Sequence, residues 1–439
     1  MSEAARELGN RFYALASDGE GRLLVVDGSL PSWETTGRLR WSDAGQVTAA
    51  LRERFGFDAF VLRPLLGGRD DAGRGVWAYE LEARSTPRHG RWIDGNGVGT
   101  LPDAEQRSIA AAALDGGARD EALRAPWSWP GWYDGVLPWI DERLEELGRR
   151  RVGEPNQTHA WAISSVLRIP TIAGDVYFKA VPPHFGHEAA LTSALARRHR
   201  GRITTVLAAD EERRWMLMED IGGAELRAST DASTWEHAVS EYARIQVDWV
   251  DDVDELLALG CPDRRLEVLE GEIDEALADP LLVELPRGLS SDETERLPAL
   301  AERLHDACAL LGEHDLPPTL EHGDLHPGNV RLTDDGPVFF DWTDGAVSVP
   351  FFTLGQLLDW DTEPPQRERV RAAYRAVWVT RLDERRLDDA LALAEVVGLY
   401  HLATSYRRIA RTTEPAQRWE LGPVFPLFVR KLLTAAGER

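Results

Sequence analysis

The sequence has few cysteines and no long apolar run. Its 439 residues include two cysteines, and no apolar segment reaches the length that is needed to cross a membrane. The amino terminus has no basic region followed by an apolar core, so no secretory signal peptide is predicted. Cys261 and Cys308 form no metal-binding spacing. We therefore expect both to be reduced thiols in a cytoplasmic protein.

Basic residues are also under-represented. The chain has 50 lysines and arginines against 74 aspartates and glutamates, which gives a formal net charge of −24. Because this charge would repel the phosphates of a nucleic acid, we expect no nucleic-acid partner. It is compatible with a cationic small-molecule substrate, although acidity also keeps proteins soluble without any such role. The length suggests roughly two to three domains.

Lysine is nearly absent, with only Lys179 and Lys431 in the chain. A composition that uses Arg almost everywhere keeps Lys where a compact charge on a flexible stem is wanted. Lys179 lies in the strand-like run 176–181, and Glu188 begins the helical stretch 188–196. A strand lysine that binds nucleotide phosphates and a helix glutamate that orients it form the amino-terminal half of a kinase site. The alternatives are a solvated strand-edge lysine and an ordinary first-turn carboxylate.

The segment His322-Gly-Asp-Leu-His-Pro-Gly-Asn329 has the layout of a phosphoryl-transfer catalytic loop. In such loops an Asp accepts the proton of the attacking hydroxyl, and an Asn and a second Asp hold Mg²⁺ against the nucleotide phosphates. The corresponding residues here are Asp324, Asn329 and Asp341. Strand-like runs on either side of 334–336 predict a hairpin with Asn329 at its start and Asp341 at its end. The alternative is a turn-rich loop whose Asp and Asn only cap the backbone.

These features resemble the aminoglycoside phosphotransferase/choline kinase-type family, whose members are small-molecule kinases with a protein-kinase-like fold. The resemblance covers roughly residues 150–439. It rests on the catalytic-loop motif, Asp341-Trp342, Lys179, Glu188 and the apolar strand 215–218 before Glu219-Asp220. Trp342 and Gly323 favour the small-molecule branch over protein kinases.

The resemblance implies a role for each of these residues. Asp324 would be the catalytic base, and Asn329 and Asp341 would be the Mg²⁺ ligands. Lys179 would bind the phosphates of ATP, and Glu188 would orient Lys179. The backbone of a hinge from Met218 to Asp220 would meet the adenine.

The sequence departs from the family pattern at two places. The segment 153–165, which should fold over the phosphates, has no Gly-x-Gly-x-x-Gly motif, so the backbone N–H groups of Ser164 and Ser165 are the predicted phosphate cradle. Relatives often carry Asp-Pro-x-x-Asp after the metal site, whereas this chain reads Val349-Pro-Phe-Phe-Thr353, with neither Asp. We expect this second change to alter the packing under the metal loop more than the chemistry.

Residues 1–125 are predicted to be a separate α+β domain. A helix is predicted over 43–55, and four short strands over 11–16, 23–26, 59–65 and 76–83. The order partly resembles a Nudix-type domain, but only Glu53 stands where that family's helix places a row of metal-binding glutamates. We interpret the domain as a degenerate, non-catalytic module for substrate access or dimerisation, with structural decoration as an equal alternative.

Residues 126–149 are predicted to be a tryptophan-rich linker followed by a helix. Four tryptophans between 126 and 139 are too costly to leave in water, so we expect them to pack the amino-terminal module on the kinase. An aromatic shelf for a substrate is the alternative.

The predicted architecture is an α+β, bilobal protein-kinase-like fold preceded by the small α+β domain. A β-rich N-lobe would span 150–225 and a helical C-lobe 226–439. Within the C-lobe, apolar residues at three- and four-residue spacing predict helices over 366–381, 387–410 and 423–436.

The predicted reaction is ATP- and Mg²⁺-dependent phosphorylation of a hydroxyl of a small molecule, such as an amino-sugar, an aminoglycoside, a sugar or an amino-alcohol. Asp344 and the carboxylates of 358–363 are candidates for binding a cationic acceptor, with a solvated acidic helix end as an equal alternative. A catalytically weak binding or scaffold protein with this fold is a rival hypothesis, favoured by the missing glycine loop. A protein kinase is a third, disfavoured by Gly323 and by the lack of an Ala-Pro-Glu segment.

Overall fold

The computed structural model of the protein describes residues 9–437 except 19, 37–40, 71–72, 86–88, 116–121 and 359–363. The chain divides into two compact units: unit 1 comprises 1–182 and 411–420, and unit 2 comprises 183–410 and 421–439. Each unit has its own hydrophobic core. The three carboxylates of the predicted acidic helix end, Asp359, Asp361 and Glu363, lie outside the described residues.

A mixed sheet forms the amino-terminal part of unit 1. Its strands are β1 (Asn10–Ser17), β2 (Leu23–Val26), β3 (Ser32–Thr35), β4 (Ala59–Arg69), β5 (Gly75–Ala83) and β6 (Gly90–Ile93). Their order is β4-β5-β1-β2-β6, with β3 also paired to β1. The pair β1–β5 is parallel, and the other pairs are antiparallel. All four strands predicted here from the sequence are confirmed.

Helix α1 (Ala44–Phe55) confirms the helix predicted after β3. The Asp43 carboxylate accepts a hydrogen bond from Gln46 N at its start, and Gly56 ends it with a φ of 70°, which a residue without Cβ adopts at no steric cost. Val47 and Leu51 are buried on the face that joins the sheet's core.

The remainder of unit 1 carries the first strands of the predicted N-lobe. Its elements are α2 (Ala104–Asp115), α3 (Trp132–Glu146), β7 (Asn156–Trp161), β8 (Ser164–Thr171) and β9 (Gly174–Ala180). β7, β8 and β9 form successive antiparallel pairs. The ring of Trp132 lies 5.8 Å from that of Phe60 on β4 and 6.1 Å from that of Phe178 on β9. The tryptophan-rich segment therefore contacts both the amino-terminal sheet and the strands of the predicted N-lobe, as expected from the sequence.

In its described residues, unit 2 contains eight short strands and most of the helices. Its strands are β10 (Val206–Asp210), β11 (Trp215–Glu219), β12 (Ala224–Glu225), β13 (Asp263–Arg264), β14 (Thr319–Glu321), β15 (Val330–Thr333), β16 (Gly336–Phe339) and β17 (Ala346–Ser348). β10 and β11 form an antiparallel pair. The other strands form two small sheets, in the orders β12-β15-β16 and β13-β17-β14.

The helices of unit 2 surround one large apolar core. They are α4 (Glu188–Arg198), α5 (Ala232–Asp248), α6 (Val253–Ala258), α7 (Leu266–Gly271), α8 (Ile273–Leu277), α9 (Leu281–Glu284), α10 (Ser291–Glu295), α11 (Leu297–Gly312), α12 (Leu354–Leu358), α13 (Pro364–Trp378), α14 (Glu384–Thr412) and α15 (Val424–Gly437). The last three confirm the three helices predicted from apolar spacing. Among the described residues, no helix combines the length and apolar character that crossing a membrane requires.

Candidate active site

A short hairpin brings Asn329 and Asp341 to one end of a sheet, as predicted. β15 and β16 pair from Val330 with Phe339 to Thr333 with Gly336. Asn329 stands immediately before β15, and its carbonyl accepts a hydrogen bond from Phe340 N at 3.2 Å. Asp341 follows directly, with a φ of 65° in the left-handed region, which Asp and Asn tolerate better than most residues. The hairpin thus brings the backbone positions of Asn329 and Asp341 to the same end of the strand pair.

Hydrogen bonds hold the predicted catalytic loop, residues 322–329, against this hairpin. The Asn329 side-chain amide donates to the Asp324 carbonyl at 3.0 Å, and the His326 carbonyl accepts from Asn329 N at 2.9 Å. Gly323 has a φ of 77°, and a Cβ at this position would overlap the Asp344 carbonyl. Only glycine fits here, because both the backbone conformation and the space exclude a side chain.

His322 fastens the start of the loop to the end of β16. Its ring is fully buried, with Nε2 3.1 Å from the Phe340 carbonyl and Nδ1 3.4 Å from Asp324 N. Burial lowers the pKa of His322 to about 4, so the ring is neutral at physiological pH. In that state Nε2–H donates to the carbonyl and Nδ1 accepts from the backbone. The ring also lies 4.5 Å from that of Trp342.

Three carboxylates share this neighbourhood. Burial, with a smaller contribution from the charge of Asp341, raises the pKa of Asp324 to about 6. Burial and the charge of Asp324 raise the pKa of Asp344 to about 7, opposed by Arg408, whose Nη2 lies 3.9 Å from Asp344 Oδ1. The Gln356 amide donates to Asp324 Oδ1 at 2.5 Å. The Asp324 side chain nevertheless keeps 32 % of its surface exposed, so a substrate hydroxyl can reach it.

The resemblance implies Mg²⁺ and a nucleotide, and two side chains of this site suit Mg²⁺. Asn329 and Asp341 offer the hard oxygen donors that Mg²⁺ prefers, and Mg²⁺ in such sites takes one or two protein ligands together with substrate phosphates. No group of three or more His, Cys, Asp or Glu that could hold a metal occurs in the described part of the chain. Burial is the main cause of the raised pKa values of Asp324 and Asp344, and the charges of Asp341 and Asp324, respectively, add to it; a bound cation would relieve both effects.

A buried carboxylate next to the loop was not anticipated from the sequence. Glu321 is fully buried and accepts hydrogen bonds from Tyr242 Oη at 2.5 Å, from His322 N at 3.0 Å and from Thr353 Oγ1. Thr353 ends the segment 349–353, where the resemblance leads us to expect the second Asp of Asp-Pro-x-x-Asp. A carboxylate, that of Glu321, lies in the hydrogen-bond network of Thr353, and burial raises the pKa of Glu321.

We expect Glu321→Leu to lower the free energy of unfolding by about 2–5 kcal/mol, because it leaves at least two buried donors without an acceptor. Adding Thr353→Asp to this variant should recover much of the loss, since Thr353 Oγ1 lies 3.5 Å from Tyr242 Oη and a carboxylate at this position can accept from the same hydroxyl. Denaturant unfolding of the two variants measures this. A double variant no more stable than Glu321→Leu would show that the network does not require a carboxylate.

The predicted nucleotide-binding residues lie in both units. In unit 1, Lys179 on β9 is 6 % exposed, which excludes the solvated-edge alternative. Ser164 and Ser165 are buried in β8, where Ser164 Oγ accepts a hydrogen bond from Trp161 Nε1 at 2.6 Å. Their part in phosphate binding stays a prediction.

In unit 2, Glu188 is 1 % exposed at the start of α4. Met218 lies near the end of β11, and Asp220 follows that strand on the surface. The Asp220 carboxylate accepts a hydrogen bond from Gly222 N at 3.0 Å. The predicted adenine hinge is therefore a strand end followed by a turn.

Sequence reasoning missed Gln356 and Arg408. Gln356 reaches Asp324 from α12, 32 positions further along the chain, and Arg408 reaches Asp344 from α14. Neither residue belongs to a local pattern, so no signal in the sequence alone could have found them.

The family model described as APH, phosphotransferase enzyme family, matches residues 164–389, slightly more than half of the chain. No curated protein sequence is significantly similar to the chain. A solved structure of the aminoglycoside phosphotransferase APH(2'')-IIia with GDP and kanamycin is similar, with 15% identity and a TM-score of 0.46 over 69% of this chain and 99% of that chain.

Two further solved structures are similar to the same extent. A choline/ethanolamine kinase family protein from Mesorhizobium loti has 14% identity and a TM-score of 0.46 over 72% of this chain and 94% of that chain. A macrolide 2'-phosphotransferase from Brachybacterium faecium has 18% identity and a TM-score of 0.42 over 64% of this chain and 98% of that chain. With the family match, the predicted α+β, protein-kinase-like fold class is confirmed. The chain belongs to the APH phosphotransferase enzyme family and is a small-molecule phosphotransferase.

Proposed function

We propose that the protein transfers the γ-phosphoryl group of ATP, in the presence of Mg²⁺, to a hydroxyl group of a small molecule. The observation that carries this proposal is the arrangement around Asp324. Its carboxylate is oriented by Gln356 at 2.5 Å, its backbone carbonyl is held by Asn329 at 3.0 Å, and the hairpin returns Asp341 beside Asn329. This is the arrangement that phosphoryl transfer to a hydroxyl requires.

Asp324 would act as the general base. With Oδ1 held by Gln356, Oδ2 is the oxygen that would accept the hydroxyl proton of the acceptor. A pKa of about 6 suits this role, because a base that is ionised at neutral pH but not strongly acidic accepts a proton most effectively. Positioning of the hydroxyl contributes as well, since it replaces a bimolecular encounter.

Asn329 and Asp341 would hold Mg²⁺, which supplies charge neutralisation at the nucleotide phosphates. On the nucleotide side, Lys179 would contact the phosphates, with Glu188 as its orienting carboxylate. The backbone from Met218 to Asp220 would meet the adenine, and the backbone at Ser164 and Ser165 would face the phosphates.

The acceptor classes that we propose are amino-sugars, aminoglycosides, sugars and amino-alcohols. A cationic acceptor is supported by the net charge of −24 and by the crowding of Asp324, Asp341 and Asp344. The test is a screen for ATP consumption over cationic and neutral acceptors of these classes, with the phosphorylated product identified by mass. Consumption that depends on no acceptor in these classes would contradict the proposal.

We expect Lys179→Arg to lower the affinity for ATP by roughly tenfold or more, the worth of a hydrogen bond to a charged group. The charge is kept, but a planar guanidinium cannot replace a compact ammonium in a buried strand position. Calorimetric titration with ATP and Mg²⁺ measures the effect. Lys431→Arg is the matched control, because it changes the only other lysine, which lies on the exposed face of α15. Equal affinity in both variants would remove Lys179 from the nucleotide site.

A further inference from the structure

The turn between β7 and β8 is unusually short for its proposed role. Ala162 and Ile163 alone connect Trp161, the last residue of β7, to Ser164, the first of β8. The strands pair up to the turn, Trp161 with Ser164 and Ala160 with Ser165. In the proposed function this turn is the segment that covers the nucleotide phosphates. Neither turn residue is a glycine, so the turn has little conformational freedom of its own.

A glutamate from the far end of the sequence binds the tip of this turn. Glu420 Oε2 accepts a hydrogen bond from Ala162 N at 2.8 Å, and Glu420 Oε1 accepts one from Gln417 Nε2 at 2.8 Å. Both side chains are buried. Burial raises the pKa of Glu420 to about 8, which fits a carboxyl group that acts by hydrogen bonding rather than by charge.

Tryptophans enclose the same contact. The ring of Trp41 lies 5.5 Å from that of Trp419, next to Glu420, and 5.7 Å from that of Trp161, next to the turn. A Cβ on Gly67 of β4 would overlap the Trp419 ring, so the ring lies directly on the backbone of the amino-terminal sheet. Trp127 Nε1 donates to the Trp161 carbonyl at 3.1 Å.

A buried ion pair anchors the other end of the segment. The guanidinium of Arg63 on β4 is paired with Glu414 and, at 2.6 Å, with Glu80 of β5. The side chains of Arg63 and Glu414 are 2 % and 1 % exposed. Removal of either partner would leave an uncompensated buried charge. Residues 414–420 are therefore held on the amino-terminal sheet at both ends, by Glu414 on Arg63 and by the ring of Trp419 on Gly67. We call these residues the strap.

We propose that the strap is a positioning element for nucleotide binding: Glu420 holds the β7–β8 turn in place, and the amino-terminal domain holds the strap. This inference rests on the proposed function. It gives residues 1–125 a role that the sequence left open between substrate access, dimerisation and decoration. A rigid, externally braced turn takes the place of a glycine-rich loop, because the backbone need not bend if it is already fixed in the binding geometry.

The test compares Glu420→Ala with Glu420→Gln. The alanine variant loses the acceptor for Ala162 N. A Gln at position 420 keeps that acceptor through its carbonyl oxygen, and its NH₂ group can donate to the Gln417 side-chain oxygen once the Gln417 amide has turned over. We expect Glu420→Ala to raise the Kd for ATP with Mg²⁺ about tenfold, the effect of losing one buried hydrogen bond. Hydrogen exchange of the Ala162 amide should accelerate by a similar factor. Glu420→Gln and the control Glu145→Ala, an exposed position on α3, should change neither quantity. Gln417→Leu removes the hydrogen-bond donor that orients Glu420. It should also raise the Kd for ATP and the exchange rate of the Ala162 amide, and it replaces Glu420→Ala in the test if that variant does not fold.

Each other outcome overturns the inference at an identifiable step. Unchanged exchange at Ala162 in Glu420→Ala would show that the strap does not hold the turn. Faster exchange with an unchanged Kd would show that the contact is structural only. A wild-type protein that binds no nucleotide would overturn the proposed function and with it the strap's role in nucleotide binding, while the exchange data would still report whether the contact exists.

Discussion

Asp324→Asn should lower the turnover number by roughly 10²–10⁴, the usual worth of a general base, while nucleotide binding stays intact. The amide cannot accept the hydroxyl proton, but its carbonyl oxygen can still accept the hydrogen bond from Gln356. Steady-state kinetics with the best acceptor, together with ATP titration, measures the two quantities separately.

The same variant should be no less stable than the wild type at neutral pH. The pKa of Asp324 is raised to about 6 in the folded protein, which means that folding favours the protonated form of this carboxyl group. The stability that Asp324 contributes is therefore complete below its ordinary pKa and is lost as the pH rises through about 6. Asn carries no such charge, so the variant avoids this loss. Asp306→Asn, at an exposed position on α11, is the matched control. Turnover of Asp324→Asn near that of the control would remove Asp324 from the mechanism.

Asp341→Asn should abolish most of the gain in nucleotide affinity that Mg²⁺ provides. We expect the affinity for ATP in the presence of Mg²⁺ to fall by a factor of about 10–100, the loss typical of a perturbed metal site. Asn tests the metal role of Asp341 with less disturbance of the backbone than Ala, because the φ of 65° at this position favours Asp and Asn over other side chains. An Asn side-chain oxygen can also still accept from Thr343 Oγ1, which donates to Asp341 at 2.6 Å. The change thus removes the charge with little cost to the turn.

The measurement is a calorimetric ATP titration with and without Mg²⁺ in the wild type, in Asp341→Asn and in Asp306→Asn. If Mg²⁺ enhanced binding equally in all three, Asp341 could not be a metal ligand.

The sequence predicted the parts of the site that depend on local chemistry. The hairpin from Asn329 to Asp341 could be predicted because its turn residues and strand patterns are contiguous. The helices over 366–381, 387–410 and 423–436 were found for the same reason, since apolar spacing within one segment determines the buried face of a helix.

Contacts between distant segments could not be predicted in this way. Arg63 and Glu414 are 351 positions apart, and no local sequence pattern around either residue predicts a buried ion pair. The hydrogen bond between Thr353 and Glu321 illustrates a second limit. The missing Asp was visible in the sequence, but only the fold shows that a carboxylate 32 positions earlier enters the same network.

If Asp324 directs phosphoryl transfer from ATP to a small-molecule hydroxyl, the transfer can be followed directly with ATP labelled in the γ-phosphoryl group, Mg²⁺ and the acceptor found in the screen. Chromatography and mass then locate the label. We expect the label to move to the acceptor hydroxyl with the wild type, and at a rate lower by roughly 10²–10⁴ with Asp324→Asn. Label that appears only as free phosphate, or that reaches the acceptor equally fast with both proteins, would contradict it.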